Sequence, residues 1–141
     1  MIDIIGTLRH VYRRANQLFD FATATLRLIE TGGTLTTTGA EDVIYINETP
    51  MGVYRPVKVQ IDFTNQTGLE TTVARVYYRI ESDGAYVKKD ERTFEGGMDP
   101  GMDEYNLVNI ELEPNRFGTK ITLERTAGGA QDYPWCVFFE V

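Results

Sequence analysis

One histidine, one serine and one cysteine are all that 141 residues hold of the side chains most used for covalent and metal chemistry. The histidine, His10, stands beside Arg9 with Arg13 and Arg14 one turn on, the setting of a solvated helix face. Without a second histidine, a zinc site of the usual nitrogen and sulfur type cannot be assembled within one chain. Ser82 lies in the turn sequence Ser82-Asp83-Gly84, which leaves no Ser–His–Asp arrangement. Cys136 has no partner for an internal disulfide and, among Trp135, Val137, Phe138 and Phe139, reads as a small buried core residue. Gly96-Gly97 and Gly128-Gly129 lack the pattern of a phosphate-binding loop and a helix to follow it, so both are turns. The expected class is therefore non-enzymatic, with no cofactor.

Long apolar runs are also missing. No stretch approaches the roughly 18 apolar residues of a membrane span, and the first residues lack the layout of a secretion signal. Asn47 and Asn65 match the glycosylation acceptor pattern, which carries no weight without such a signal. A net charge of −7 supplies no concentrated basic face, so neither nucleic acid nor an anionic membrane is an expected partner. Residues 1–30 carry Arg9, Arg13, Arg14 and Arg27 against Asp3, Asp20 and Glu30, a net +1, which leaves −8 for the remainder. The acidity belongs to the second part of the chain.

What is present falls into two periodicities. Ile4, Leu8, Val11, Ala15, Leu18, Ala22, Thr25 and Ile29 step by four and three, the spacing of an apolar seam along a helix, and only Thr25 interrupts it. Ile5, Tyr12, Phe19 and Leu26 add a flanking line, so the face is wider than a two-stranded coiled-coil stripe. Either this helix packs across its own domain or copies from several chains meet in a bundle. Leu26 to Ile29 also suits a short strand, and Gly32-Gly33 are expected to stop the helix. The domain reading is an amphipathic helix over 1–32, for oligomerisation or docking, and a β-domain over 33–141.

From Gly33 the period becomes two. Strands are predicted at Thr34–Thr38, Val43–Asn47, Pro56–Thr64, Thr72–Ser82, Ala85–Phe94, Asn106–Glu113, Thr119–Arg125 and Trp135–Val141. Val57, Val59, Ile61 and Phe63 alternate with Lys58, Gln60, Asp62 and Thr64, so one face is buried and one is wet. Ser82-Asp83-Gly84 predicts a hairpin, and Pro114-Asn115 predicts a second between the strands around Ile110 and Ile121. Eight short strands without intervening helices specify an antiparallel β-sandwich, jelly-roll-like, although periodicity does not separate that path from an immunoglobulin-like one.

Acidic side chains crowd one stretch. Glu95, Asp99, Asp103 and Glu104 offer oxygen ligands on a glycine-containing loop and are the candidates for calcium, but they lack the alternating spacing of a calcium loop. A plain solvated loop is the preferred reading. Trp135 and the tyrosines read as core ahead of interface anchors.

The run from Gly118 to Gly128, followed by Tyr133-Pro134-Trp135-Cys136-Val137, resembles the strand ladders of small β-sandwich proteins from the virions of tailed bacterial and archaeal viruses. Val76 to Ile80 and Lys88 to Glu91 fit the same likeness, which covers residues 33–141 and implies no catalytic residue. It implies a capsid decoration protein or a minor head or tail component, located in the virion; outside a virus the expected location is cytoplasmic. The expected partners are further copies of the chain, as a trimer, and a larger assembly such as a viral shell. The docking face is then Ile4, Leu8, Val11, Ala15, Leu18, Ala22 and Ile29. The alternative is a ligand-binding module, for instance a calcium-dependent carbohydrate binder; a carboxylate hydrolase ranks below it.

Overall fold

A computed structural model of the chain describes residues 28–48, 55–96 and 106–140. Eight strands make it up: β1 (Leu28–Thr36), β2 (Glu41–Asn47), β3 (Arg55–Asp62), β4 (Thr71–Tyr78), β5 (Val87–Glu95), β6 (Leu107–Glu111), β7 (Thr119–Ala127) and β8 (Asp132–Glu140). They form two four-stranded antiparallel sheets, in the orders β1-β8-β3-β6 and β2-β7-β4-β5. Consecutive strands change sheet at every connection except β4 to β5.

That exception is the predicted hairpin. Asp83 takes the left-handed conformation, φ 57°, which an aspartate tolerates better than most residues. The second predicted hairpin is overturned: β6 pairs with β3 in one sheet, while β7 lies between β2 and β4 in the other. Both strands alternate correctly, but residues 112–118 cross a sandwich about 10 Å thick rather than turning within a sheet.

The helix boundary is corrected as well. Leu28 to Gly33, read from the sequence as the helix end and its stop, run as strand in register with β8, from Leu28 opposite Glu140 to Gly33 opposite Trp135. Gly32 serves close packing instead of capping: a Cβ there would sit 2.6 Å from the Trp135 carbonyl oxygen and 3.0 Å from the Cys136 Cβ.

Inner-face residues of both sheets build the core. Val59, Ile61, Tyr133, Val137 and Ile110 of the first sheet meet Ala74, Val76, Ile121, Leu123 and Ile44 of the second. Leu35, Tyr45, Trp135 and Phe94 pack at its margins. Cys136 is not part of it. Alternation along β8 puts Tyr133 and Val137 inward, so Cys136 lies on the outer face, half-buried, with its Sγ 3.9 Å from Gln60 Oε1. Apolar neighbours in sequence misled here because adjacent strand residues face opposite sides.

One end of the sandwich is closed by a polar network. The Glu70 carboxylate, 3 % exposed, accepts from the Thr67 amide at 2.7 Å, the Thr67 hydroxyl, and Gln131 Nε2 at 2.9 Å. Gln66 accepts from Thr72 Oγ1 at 2.8 Å and donates to the Phe94 carbonyl at 2.9 Å. Hydrogen bonds from Thr67 and then Gln131 outweigh burial and hold the Glu70 pKa down, at about 2 against an ordinary 4.5. A carboxylate depressed by folding stabilises fully above its unfolded pKa and loses that contribution as pH falls through the folded value. In thermal melts the difference between the native chain and Glu70→Gln should therefore be several degrees at pH 7, shrink below pH 4.5 and vanish near pH 2. A difference independent of pH would refute this assignment.

Candidate functional site

Among the described residues, a dense group of ionisable side chains lies on the outer face of the second sheet, assembled from four strands. In β4, Arg75 stands opposite Thr122 of β7 and Glu91 of β5. Its Nε is 2.8 Å from Glu91 Oε2, its Nη1 2.5 Å from Glu124 Oε2 and 3.6 Å from Glu41 Oε2. Glu41, on β2, accepts from Tyr77 at 2.5 Å and Thr122 at 2.7 Å. Lys88 adds 2.8 Å to Glu91, and Lys120 lies over the rings of Tyr77 and Tyr86 at 4.6 and 4.8 Å.

General acid–base chemistry needs a group that titrates near the working pH. Here the environment pushes the other way. Burial raises Glu41, but the hydrogen bonds from Tyr77 and Thr122 and the charges of Arg75 and Lys120 outweigh it and leave its pKa below the ordinary value. Lys88 and then Arg75 lower Glu91. Burial, reinforced by Glu41, raises Tyr77. Glu41 and Glu91 are thus held as carboxylates and Tyr77 as a phenol, in a group where three carboxylates stand among three cations. The arrangement clamps β2, β7, β4 and β5 together and acts as a brace.

A groove of about 550 Å³ opens at the other end of the first sheet, lined by Arg55, Pro56, Lys58, Glu111, Leu112 and Glu140 among others. Its lining combines two cations and two carboxylates with apolar residues, so it presents no single-signed site. The outer face beside it carries Lys58 over the Phe138 ring at 5.0 Å and Gln60 donating to Asn109 at 2.7 Å. Burial, followed by the charge of Glu30, raises the Cys136 thiol, which keeps it out of the reactive thiolate class.

Of the residues singled out from sequence, Ile29 lies in β1 opposite Phe139, and Glu95 ends β5 opposite Thr71. Ile4, Leu8, Val11, Ala15, Leu18 and Ala22, like Asp99, Asp103 and Glu104, lie outside the described residues. Sequence reasoning missed the Arg75 brace and the Glu70 network. A signal existed for the first: Arg75 falls on the non-core phase of an alternating strand, opposite the similarly phased Glu91 across a hairpin whose turn was legible.

No protein-family model matches the chain, and no curated protein matches it. Among solved structures it is similar to a chain of the disulfide-linked pili formed by Bacillus endospore appendages, at 13% identity and TM-score 0.44, covering 82% of this chain and 88% of that one. It is also similar to a chain of the infectious bursal disease virus VP2 subviral particle, at 15% identity and TM-score 0.41, covering 81% of this chain and 32% of that one. A chain from the Gx strain of the same virus gives 13%, 0.42, 81% and 33%. This chain spans about a third of the viral chains, and identities this low assign no role.

Proposed function

We propose that the chain is a non-catalytic structural subunit that assembles with copies of itself through its N-terminal segment and forms part of a larger shell, as a virion decoration protein or minor head or tail component. The observation that carries this reading is how the core is filled. Val59, Ile61, Tyr133 and Val137 of one sheet face Ile121, Leu123 and Val76 of the other, all at 2 % exposure or less, so the two inner faces satisfy each other. The apolar seam from Ile4 to Ala22 then has its counterpart elsewhere, and copies of the same seam bury one another in a bundle. The strand order supports the reading at the level of architecture: β1-β8-β3-β6 facing β2-β7-β4-β5 is a jelly roll, a path used by capsid and lectin domains. Architecture alone assigns no function, so the weight rests on the seam.

Light scattering on the full chain and on a chain starting at Leu28 tests the proposal. The full chain should have the mass of a trimer or a multiple of it; the shortened one should fall to a dimer or smaller and keep a cooperative melt. An unfolded shortened chain would place the seam in the core and overturn the assembly role.

A further inference from the structure

Among the described residues each sheet ends in two edge strands, β1 and β6 in the first, β2 and β5 in the second. An edge exposes a row of N–H and C=O groups to any strand that can pair with it, and proteins blunt such edges with charge, shortness or bulges. Three of the four carry such a device. The sequence of β5 places Lys88, Lys89, Asp90, Glu91, Arg92 and Glu95 in a strand of nine residues. Only five residues long, β6 offers little to pair with. In β2 the register shifts between Val43 and Tyr45, a bulge that twists the edge.

Strand β1 has none of them. Its nine residues pair with β8 without a break from Leu28 to Thr36, they include no proline or cation, and Thr31 to Thr36 is uncharged. We propose that β1 is an assembly edge at which β1 of a second copy adds antiparallel about a two-fold axis, merging two first sheets into one. This contact is distinct from the one assigned to residues 1–27, because it is made by β1 itself, at Thr31–Thr36.

The composition of the strand selects a second copy as the occupant. An axis at Gly33 opposes Gly33 to itself, Thr31 to Leu35 and Glu30 to Thr36. The two Glu30 side chains are then about 20 Å apart along the strands, so the one charge in β1 meets no like charge. An isologous contact of this kind closes on itself and adds a dimer step to any other assembly.

Thiol cross-linking of the full chain in a Cys136→Ser background tests it. Across the proposed axis Thr34 faces Gly32 of the other copy, which puts the two Thr34 Cβ atoms about 7–8 Å apart, within reach of a short bismaleimide. Thr34 is exposed, so Thr34→Cys removes no core packing. It should give about tenfold more cross-linked dimer than Lys89→Cys on the charged edge β5, because pairing raises the effective concentration of the thiols. Adding Thr31→Lys should reduce the yield to the Lys89→Cys level while circular dichroism shows an unchanged fold. Equal yields from the two edges, or a Thr34→Cys dimer that survives Thr31→Lys, would overturn the proposal. Because the readout is specific to position 34, a trimer held only by residues 1–27 gives the same yield at both edges and is told apart.

Discussion

Replacing Phe63 by alanine should lower the stability of the fold by about 3–5 kcal/mol, among the largest effects open to a single substitution. Phe63 follows β3 at the end closed by the Glu70 network and is 1 % exposed. Its ring centroid lies 4.6 Å from that of Phe94 on β5 and 5.2 Å from that of Tyr133 on β8, both tilted. The ring therefore joins the two sheets, and neither partner can move into the vacated space without leaving its own strand. The cost is the lost transfer energy of the ring, the cavity, and ring contacts worth about 0.5–1.5 kcal/mol each. Folded domains have about 5–15 kcal/mol in total, so about a fifth or more of the stability is removed. A drop of roughly 10–15 °C in the melting midpoint is expected. Leu69→Ala serves as the control: Leu69 is 79 % exposed, and its loss should fall within about 0.5 kcal/mol. A Phe63→Ala midpoint within 3 °C or so of the native one would mean that this end of the sandwich is loosely packed.

The second large effect is expected at Gly128, in the turn between β7 and β8. Its φ is +80°, and a Cβ there would stand 2.6 Å from the Leu69 carbonyl oxygen, 2.7 Å from the Glu70 Cα and 2.8 Å from the Glu70 nitrogen. All three are backbone atoms, which cannot rotate aside. Gly128→Ala combines a left-handed conformation costing about 1–2 kcal/mol with overpacking of about 1–3 kcal/mol, a loss of about 2–5 kcal/mol. It should also push Glu70 away from Thr67 and Gln131, so its acid sensitivity should approach that of Glu70→Gln. Gly129, the next residue, is a sharp comparison: a Cβ there meets only Glu70 Oε1, at 3.9 Å, and Gly129→Ala should melt close to the native chain. Denaturant titration of the two variants side by side measures the difference. Similar midpoints would show that the turn relaxes and that the two loops are not locked together.

Both effects depend on neighbours far away in the chain, and this marks the limit of what was legible beforehand. Val59, Ile61 and Phe63 were assigned inward from alternation alone, because a strand's side-chain period is a local property. Seven of the eight strands were found at nearly their observed positions for the same reason, whereas β1, expected at Thr34–Thr38, runs from Leu28 to Thr36. The β4–β5 hairpin was legible because its turn chemistry is contained in three residues. Pro114-Asn115 looked equally like a turn, yet residues 112–118 take the chain to the other sheet. Cys136 was misplaced by the apolar residues on either side of it, which alternate between faces, and Gly32-Gly33 was taken as a helix stop because glycine also serves where two backbones pack closely.

The site residues divide along the same line. Arg75 meets Glu41 and Glu124, and Glu70 meets Gln131, across separations of 34, 49 and 61 residues. No periodicity encodes such pairs. From its sequence alone the chain was determined to be a β-sandwich with alternating strands, one local hairpin, an acidic β-domain and an apolar N-terminal seam. Tertiary structure decided which strands share a sheet, which carboxylates meet cations, that Leu28 to Gly33 belong to β1, and that β1 is an edge strand among the described residues. The physical reason is that local periodicity fixes which way a side chain faces, whereas strand order is chosen by competition among long-range pairings. Only the packed whole resolves that competition.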